Sequence, residues 1–158
     1  MGFQKLLVTL DGSELAETAV DYAMRVADPN AHIHLLSVIV HDNTDSFVTL
    51  VNSIEFAFTS APAYPVPTHP KEAEVIAQSR FYLEKLKSRV EQRGFNVTIE
   101  AIPGNAVDTI IDTAASYQFD AIVMVTHGRT GISKLVLGSA VQGVLRRAPC
   151  PVLVIPIL

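Results

Sequence analysis

The chain has 158 residues, 49% of them hydrophobic and 18% charged, with a net charge of −4. That length can bury one core without disulfides or metal. The composition excludes a disordered chain, and no apolar run approaches the roughly 18 residues that a spanning helix needs. No basic block occurs, so neither a nucleic-acid backbone nor a membrane surface is expected as a partner.

The single cysteine, Cys150, stands between Pro149 and Pro151 and has no partner for an internal disulfide or a metal site. Met1–Lys5 leads into an apolar segment too short for a signal-peptide core, which points to the cytoplasm.

Along the chain, Lys5–Leu10 reads as a first strand. Asp11-x-x-Glu14 then opens a helix that places Leu15, Ala19, Tyr22, Ala23 and Val26 on one face, with Asp11 as a candidate cap. His32–Val40 is the second strand. Residues 42–70 form a long irregular insertion in what reads as one domain over 1–158. An apolar patch, Phe47–Phe58, is followed there by Pro62, Pro65, Pro67 and Pro70. Such a segment is either a functional loop, lid or docking segment, or a short surface helix over Thr44–Phe58.

The second helix, Lys71–Arg93, carries Val75, Leu83, Leu86 and Val90 on a stripe and stops at Arg93-Gly94, a basic last turn before a permissive glycine. Val97–Ile102 is the third strand. A helix from Asn105 turns Val107, Ile110, Ile111, Ala114 and Ala115 inward. Ala121–Thr126 is the fourth strand, a helix near Ser139 turns Val141, Val144 and Leu145 inward, and Val152–Ile155 is the last strand.

Several of these strands are nearly continuous in apolar content, as strands covered on both faces are. With right-handed crossovers, the βαβαβαβαβ order predicts an α/β fold: a doubly wound five-stranded parallel sheet of order 3-2-1-4-5, with helices on both faces. The last strand then lies at an edge, apolar and without a charge to block pairing, so residues 152–155 ask for a partner strand.

In such a sheet the ligand crevice opens between the carboxyl ends of strands one and four. This singles out Leu10-Asp11-Gly12-Ser13 and the segment Val125–Ser139. The first loop has one glycine and a carboxylate, so it does not carry the dinucleotide fingerprint, and no Gly-x4-Gly-Lys-Ser/Thr sequence occurs.

The second loop suits an anion better. Gly128 and Gly131 allow close approach of backbone N–H groups, and Gly138-Ser139 lead into a helix N-terminus. Asp11 has a compatible role across the crevice, accepting from ribose hydroxyls or holding a divalent cation on the phosphates. His127 has no nucleophile or paired carboxylate beside it and receives no catalytic role, and Arg129 is either a phosphate contact or a solvated loop charge.

Together, Leu6-Leu7-Val8-Thr9-Leu10-Asp11-Gly12-Ser13, Pro103-Gly104-Asn105-Ala106, Thr126-His127-Gly128-Arg129-Thr130-Gly131, Leu137-Gly138-Ser139 and Ala148-Pro149-Cys150-Pro151-Val152-Leu153-Val154-Ile155-Pro156 resemble the universal stress protein family over nearly the whole chain. The ATP-binding branch of that family is marked by Gly-x2-Gly-x9-Gly followed by Ser or Thr. Gly128, Gly138 and Ser139 match it, and Val125 stands where the first glycine would be. Valine is compatible with a backbone contact if φ is negative there and strained if it is positive.

Thr9 replaces a frequent proline on the adenine-side wall, and the resemblance gives the backbone of Val38 to adenine. The positions expected around ATP or AMP are thus Thr9, Leu10, Asp11 and Val38 on one side, and Met124, Val125, His127, Gly128, Arg129, Gly131, Gly138, Ser139 and Ala140 on the other. Mg2+ on the phosphates would reach Asp11. The implied function is a stress-response regulator acting as a homodimer, with room for a further protein partner. The alternatives are a nucleotide-free dimeric scaffold and a slow ATP hydrolase, for which no base or cation-holding cluster beyond Asp11 is evident.

Overall fold

The computed structural model describes residues 2–40, 69–126 and 137–156. Most of the 42–70 insertion, with the proposed helix over Thr44–Phe58, lies outside them. Chain order is β1 (Phe3–Leu10), α1 (Glu14–Val26), β2 (Ala27–Ile39), α2 (His69–Glu91), β3 (Asn96–Pro103), α3 (Ala106–Ser116), β4 (Ala121–Val125), α4 (Ser139–Arg147) and β5 (Val152–Ile155). The five strands form one parallel sheet in the order β3-β2-β1-β4-β5, so the predicted architecture holds.

Alternation along each strand divides the core into two layers. Leu6, Val8 and Leu10 of β1, with Ala121, Val123 and Val125 of β4, pack with Ala16, Ala19, Val20 and Ala23 of α1 and Leu83, Leu86 and Val90 of α2. Leu7 of β1, with Ile122 and Met124 of β4, packs with Ile110 and Ala114 of α3 and Val141 and Val144 of α4. Both faces are dry, which is why the strands read as unbroken apolar runs.

The helix stripes proved narrower than their spacing predicts. Leu15 and Tyr22 of α1, expected inward, are 49% and 38% exposed, because Ala16 and Val20 carry the contact with the sheet. Ala115 of α3 and Leu145 of α4 are exposed as well. Each lies one position from the buried stripe, on the rim where a helix curves away from the sheet.

Helix ends follow local chemistry. Pro70 is the second residue of α2, where a missing N–H costs little. Gly94 closes that helix at φ 90°, its N–H donating to Glu91 O at 2.9 Å. Asn105 caps α3 by accepting from Asp108 N at 3.1 Å. β2 starts early, at Ala27, but its register with β1 shifts between Phe3 and Lys5, next to Asn30 at φ 64°. Regular pairing begins at His32, the predicted start.

Helices α3 and α4 meet where Gly143 faces Val107. A Cβ on Gly143 would lie 2.6 Å from Val107 Cγ2, and a β-branched side chain has little freedom to yield. Gly143→Ala gains about 1 kcal/mol of helix propensity and loses about 1–3 kcal/mol to overpacking. It should therefore lower the thermal midpoint in the native background and raise it in a Val107→Ala background. Equal shifts in both would show that the contact does not set the helix spacing.

Candidate functional site

The crevice arises from unequal strand pairing. β1 stays paired with β2 to Leu10↔Ser37, whereas its pairing with β4 ends at Val8↔Val123. At their carboxyl ends β1 and β4 are thus free of each other, at the point where the chain order reverses. Leu10 is buried and Thr9 half-buried, and the chain then turns through Asp11 and Gly12. Gly12 takes φ 81°, which favours the absence of a Cβ.

Asp11 is not the cap of α1. Ser13 is the N-cap, its Oγ accepting from Ala16 N at 3.1 Å. Asp11 Oδ1 instead accepts from Ser13 N at 2.9 Å and Ser13 Oγ at 2.6 Å. The reason is length: from two residues upstream a carboxylate closes an Asx turn on the cap residue, while the serine hydroxyl reaches the first helical turn. Oδ1 is thereby engaged. Oδ2 is buried without a hydrogen-bond partner among the described residues.

The Tyr82 hydroxyl of α2 is buried as well. Burial pushes its pKa up, the charge of Glu17 and a hydrogen bond to it push it further, and the charge of Asp11 adds to this, against an opposing effect of Arg89. Arg89 ties α2 to α1, donating to Glu17 Oε2 and Asp21 Oδ1, each at 3.3 Å. Asp11 and Tyr82 thus share one electrostatic neighbourhood beneath the loop. Sequence reasoning did not find Tyr82, since it adjoins Leu83 of the core stripe and no motif marks it. Ser13 was passed over as the cap, although a hydroxyl residue immediately before Glu14 is the local signal for one.

On the opposite wall, Met124 and Val125 are buried strand residues paired with Val154 and Ile155. Val125 is 7% exposed, packs in the α1/α2 layer and does not have positive φ, so valine carries no backbone strain. Beyond it, Thr126 N donates to Ile155 O at 3.0 Å, and Gly138 N donates to Thr126 O at 2.9 Å. That last bond ties the residue after β4 to the cap position of α4 and commits one N–H expected to face an anion.

The N-terminus of α4 has no side-chain cap. Gly138 occupies the cap position, Ser139 is exposed and Ala140 half-buried, so the first-turn N–H groups keep their affinity for negative charge. Val38 lies half-buried near the end of β2, opposite Ile102. His127, Gly128, Arg129 and Gly131 lie outside the described residues. Among the described residues no group of three or more His, Cys, Asp and Glu is placed to hold a metal. No described helix is long and apolar enough to cross a membrane.

An open parallel α/β sheet whose strand order reverses between its central strand and β4 defines the doubly wound class of fold. A model of the universal stress protein family matches residues 2–156, and the chain belongs to that family. Universal stress protein MJ0531 of Methanocaldococcus jannaschii is 27% identical over 154 residues, which cover 97% of this chain and 82% of that protein. The solved structure of MJ0577 from the same organism has a TM-score of 0.75 at 24% identity, over 98% of this chain and 96% of that one. A universal stress protein family member from Arabidopsis thaliana, solved with AMP bound, has a TM-score of 0.62 at 17% identity, over 96% and 90% of the two chains.

Ser13→Ala removes both the cap of α1 and a donor to Asp11. We expect it to cost about 0.5–2 kcal/mol in chemical denaturation. A loss below about 0.3 kcal/mol, the scale of a neutral surface change, would show that the cap is not formed in solution.

Proposed function

We propose that this protein binds an adenine nucleotide, ATP or AMP, in the β1/β4 crevice and acts as a regulatory homodimer in the cytoplasm. The reading is carried by Asp11 and the uncapped N-terminus of α4, which follow the carboxyl ends of the adjacent strands β1 and β4. Asp11 Oδ2, held by the Ser13 contacts and without a partner of its own among the described residues, suits a ribose hydroxyl as donor. The N–H groups at Ser139 suit a phosphate. AMP bound to the Arabidopsis relative supports the same ligand class.

In the alternative arrangement, with Asp11 facing the phosphates instead of the ribose, Oδ2 would supply one oxygen to a Mg2+ held chiefly by those phosphates. Gly128, Gly131 and Arg129 would complete the phosphate side, and Val38 would offer its backbone to adenine. β5 is an edge strand whose apolar run would pair with the same strand of a second copy.

A nucleotide-free scaffold is the second reading. It is favoured by Val125, whose side chain fills the core where the family's ATP-binding branch has a glycine. Calorimetry with AMP, ATP and adenosine, with and without Mg2+, separates the two. The binding reading expects AMP to bind more tightly than adenosine, and Asp11→Asn to weaken AMP at least about tenfold, the scale of a hydrogen bond to a charged group. No heat at millimolar nucleotide would leave the scaffold. Light scattering on the same sample should give the mass of two chains, and a monomer at micromolar concentration would remove the dimer from either reading.

A further inference from the structure

At the amino-terminal end of the sheet, away from Asp11 and Ser139, five side chains form a hydrogen-bonded chain across β2, β3 and the end of α3. His32 Nε2 lies 2.7 Å from Thr98 Oγ1, and the same oxygen lies 2.6 Å from His34 Nδ1. His34 Nε2 lies 3.2 Å from Glu100 Oε2, and the Tyr117 hydroxyl donates to Glu100 Oε1 at 3.3 Å. His34 is 4% exposed, lying under the rings of Tyr117 and Phe119 at 5.8 and 5.4 Å between centroids.

Counting hydrogens fixes the neutral arrangement. A Glu100 carboxylate only accepts, so His34 carries its proton on Nε2 and its Nδ1 is bare. The Thr98 hydroxyl must then donate to Nδ1, and its oxygen receives His32 Nε2–H. Each of these three atoms thereby has a complementary neighbour.

A second proton on His34 breaks this order. Nδ1 becomes a donor, so the Thr98 hydroxyl turns its hydrogen away toward solvent and its two lone pairs accept from His32 and His34, which sets the imidazolium beside a second N–H dipole. The new charge draws Glu100 toward His34, in competition with the Tyr117 hydroxyl. Lys5 of β1, which donates to Tyr117 O at 2.8 Å, and His32 of β2 add positive charge nearby. Asp120, after α3, is engaged by Gln4 N and Lys5 N at 2.9 and 2.8 Å.

The more exposed cover over His34 is Tyr117 in the turn after α3, whose Phe119 is 5% exposed and packs in the α3/α4 layer. β3 is held by an eight-residue register with β2. Tyr117 is half exposed, and Gln118 takes φ 53°, a conformation that costs a non-glycine residue energy. That turn is closed by Phe119 N donating to Ala114 O at 3.1 Å.

We propose that His34 is a proton sensor whose protonation detaches the Tyr117–Phe119 turn from the β2–β3 face, giving this protein an acid-responsive surface separate from its nucleotide crevice. Desolvation, the largest effect, lowers the His34 pKa below 6.5, against the raising charge and hydrogen bond of Glu100 and with a smaller lowering by His32. Desolvation and Lys5 lower that of His32. Between its lowered pKa and 6.5 the folded protein binds fewer protons than the unfolded one, so stability is full above this window and falls as pH falls through it.

Amide hydrogen exchange at pH 7.5 and 5.0, corrected for intrinsic rates, tests this on the full chain. Protection of the Gln118 and Phe119 amides should drop by more than about twofold at pH 5.0. In His34→Gln, whose amide supplies an acceptor toward Thr98 and a donor toward Glu100 without titrating, it should change less than about twofold on the same scale. Glu100→Gln provides a second arm: without the charge that raises the His34 pKa, the midpoint in ring-nitrogen NMR and the loss of protection should both move to lower pH. Loss of protection that survives unchanged in His34→Gln, or that stays fixed while the His34 midpoint moves in Glu100→Gln, would overturn the proposal.

Discussion

Burial of β1 on both faces and both edges is the constraint from which the rest of the molecule follows. Leu6, Leu7 and Val8 are fully buried, and each is paired with both β2 and β4. A strand in that position must exchange its backbone hydrogen bonds with neighbours on either side. Where one neighbour leaves early, as β4 does after Val8, the released chain ends cannot remain in the core and turn outward as loops. The Asp11 loop and the entrance to α4 are therefore consequences of how the sheet ends.

The same constraint explains what could be read from the sequence. Strand positions and order were legible because a doubly covered strand has few options besides Val, Ile, Leu and Ala, and because right-handed crossovers leave few arrangements for five such strands. The inward faces of α1 and α4 were less legible. Alanine at positions 16, 19 and 23 packs as closely as a large residue when the helix lies near the sheet, so Leu15 drew attention that belonged to Ala16. Exposure of Leu15 and Leu145 is unremarkable on a surface that always contains apolar atoms.

At the candidate site, legibility depended on range. Asp11, Ser13 and Gly138-Ser139 announce themselves through local turn and cap chemistry, although the sequence assigned the cap to Asp11 and the contacts give it to Ser13. Tyr82 arrives from 71 positions away in sequence, through the packing of α2 against α1. The His32–Thr98–His34–Glu100–Tyr117 chain is equally nonlocal, because it exists only once β2 and β3 are in register. Single residues such as these carry no periodic or motif signal.

Val125 joins the two levels. As a motif position it reads as a loss, since a glycine has been replaced. As a strand residue it is ordinary: extended backbone, a partner in Ile155, and a side chain in the α1/α2 layer beside Val123. The valine therefore needs no left-handed φ, and the departure from the family pattern is explained by core packing without any distortion of β4. The backbone that follows is in turn tied on both sides, through Thr126 N to β5 and Thr126 O to Gly138. Residue 125 therefore belongs to the core layer and to the β4–β5 pairing, and the chain at Thr126 and at Gly138 is anchored by the sheet and by the start of α4, with no strained turn at the valine.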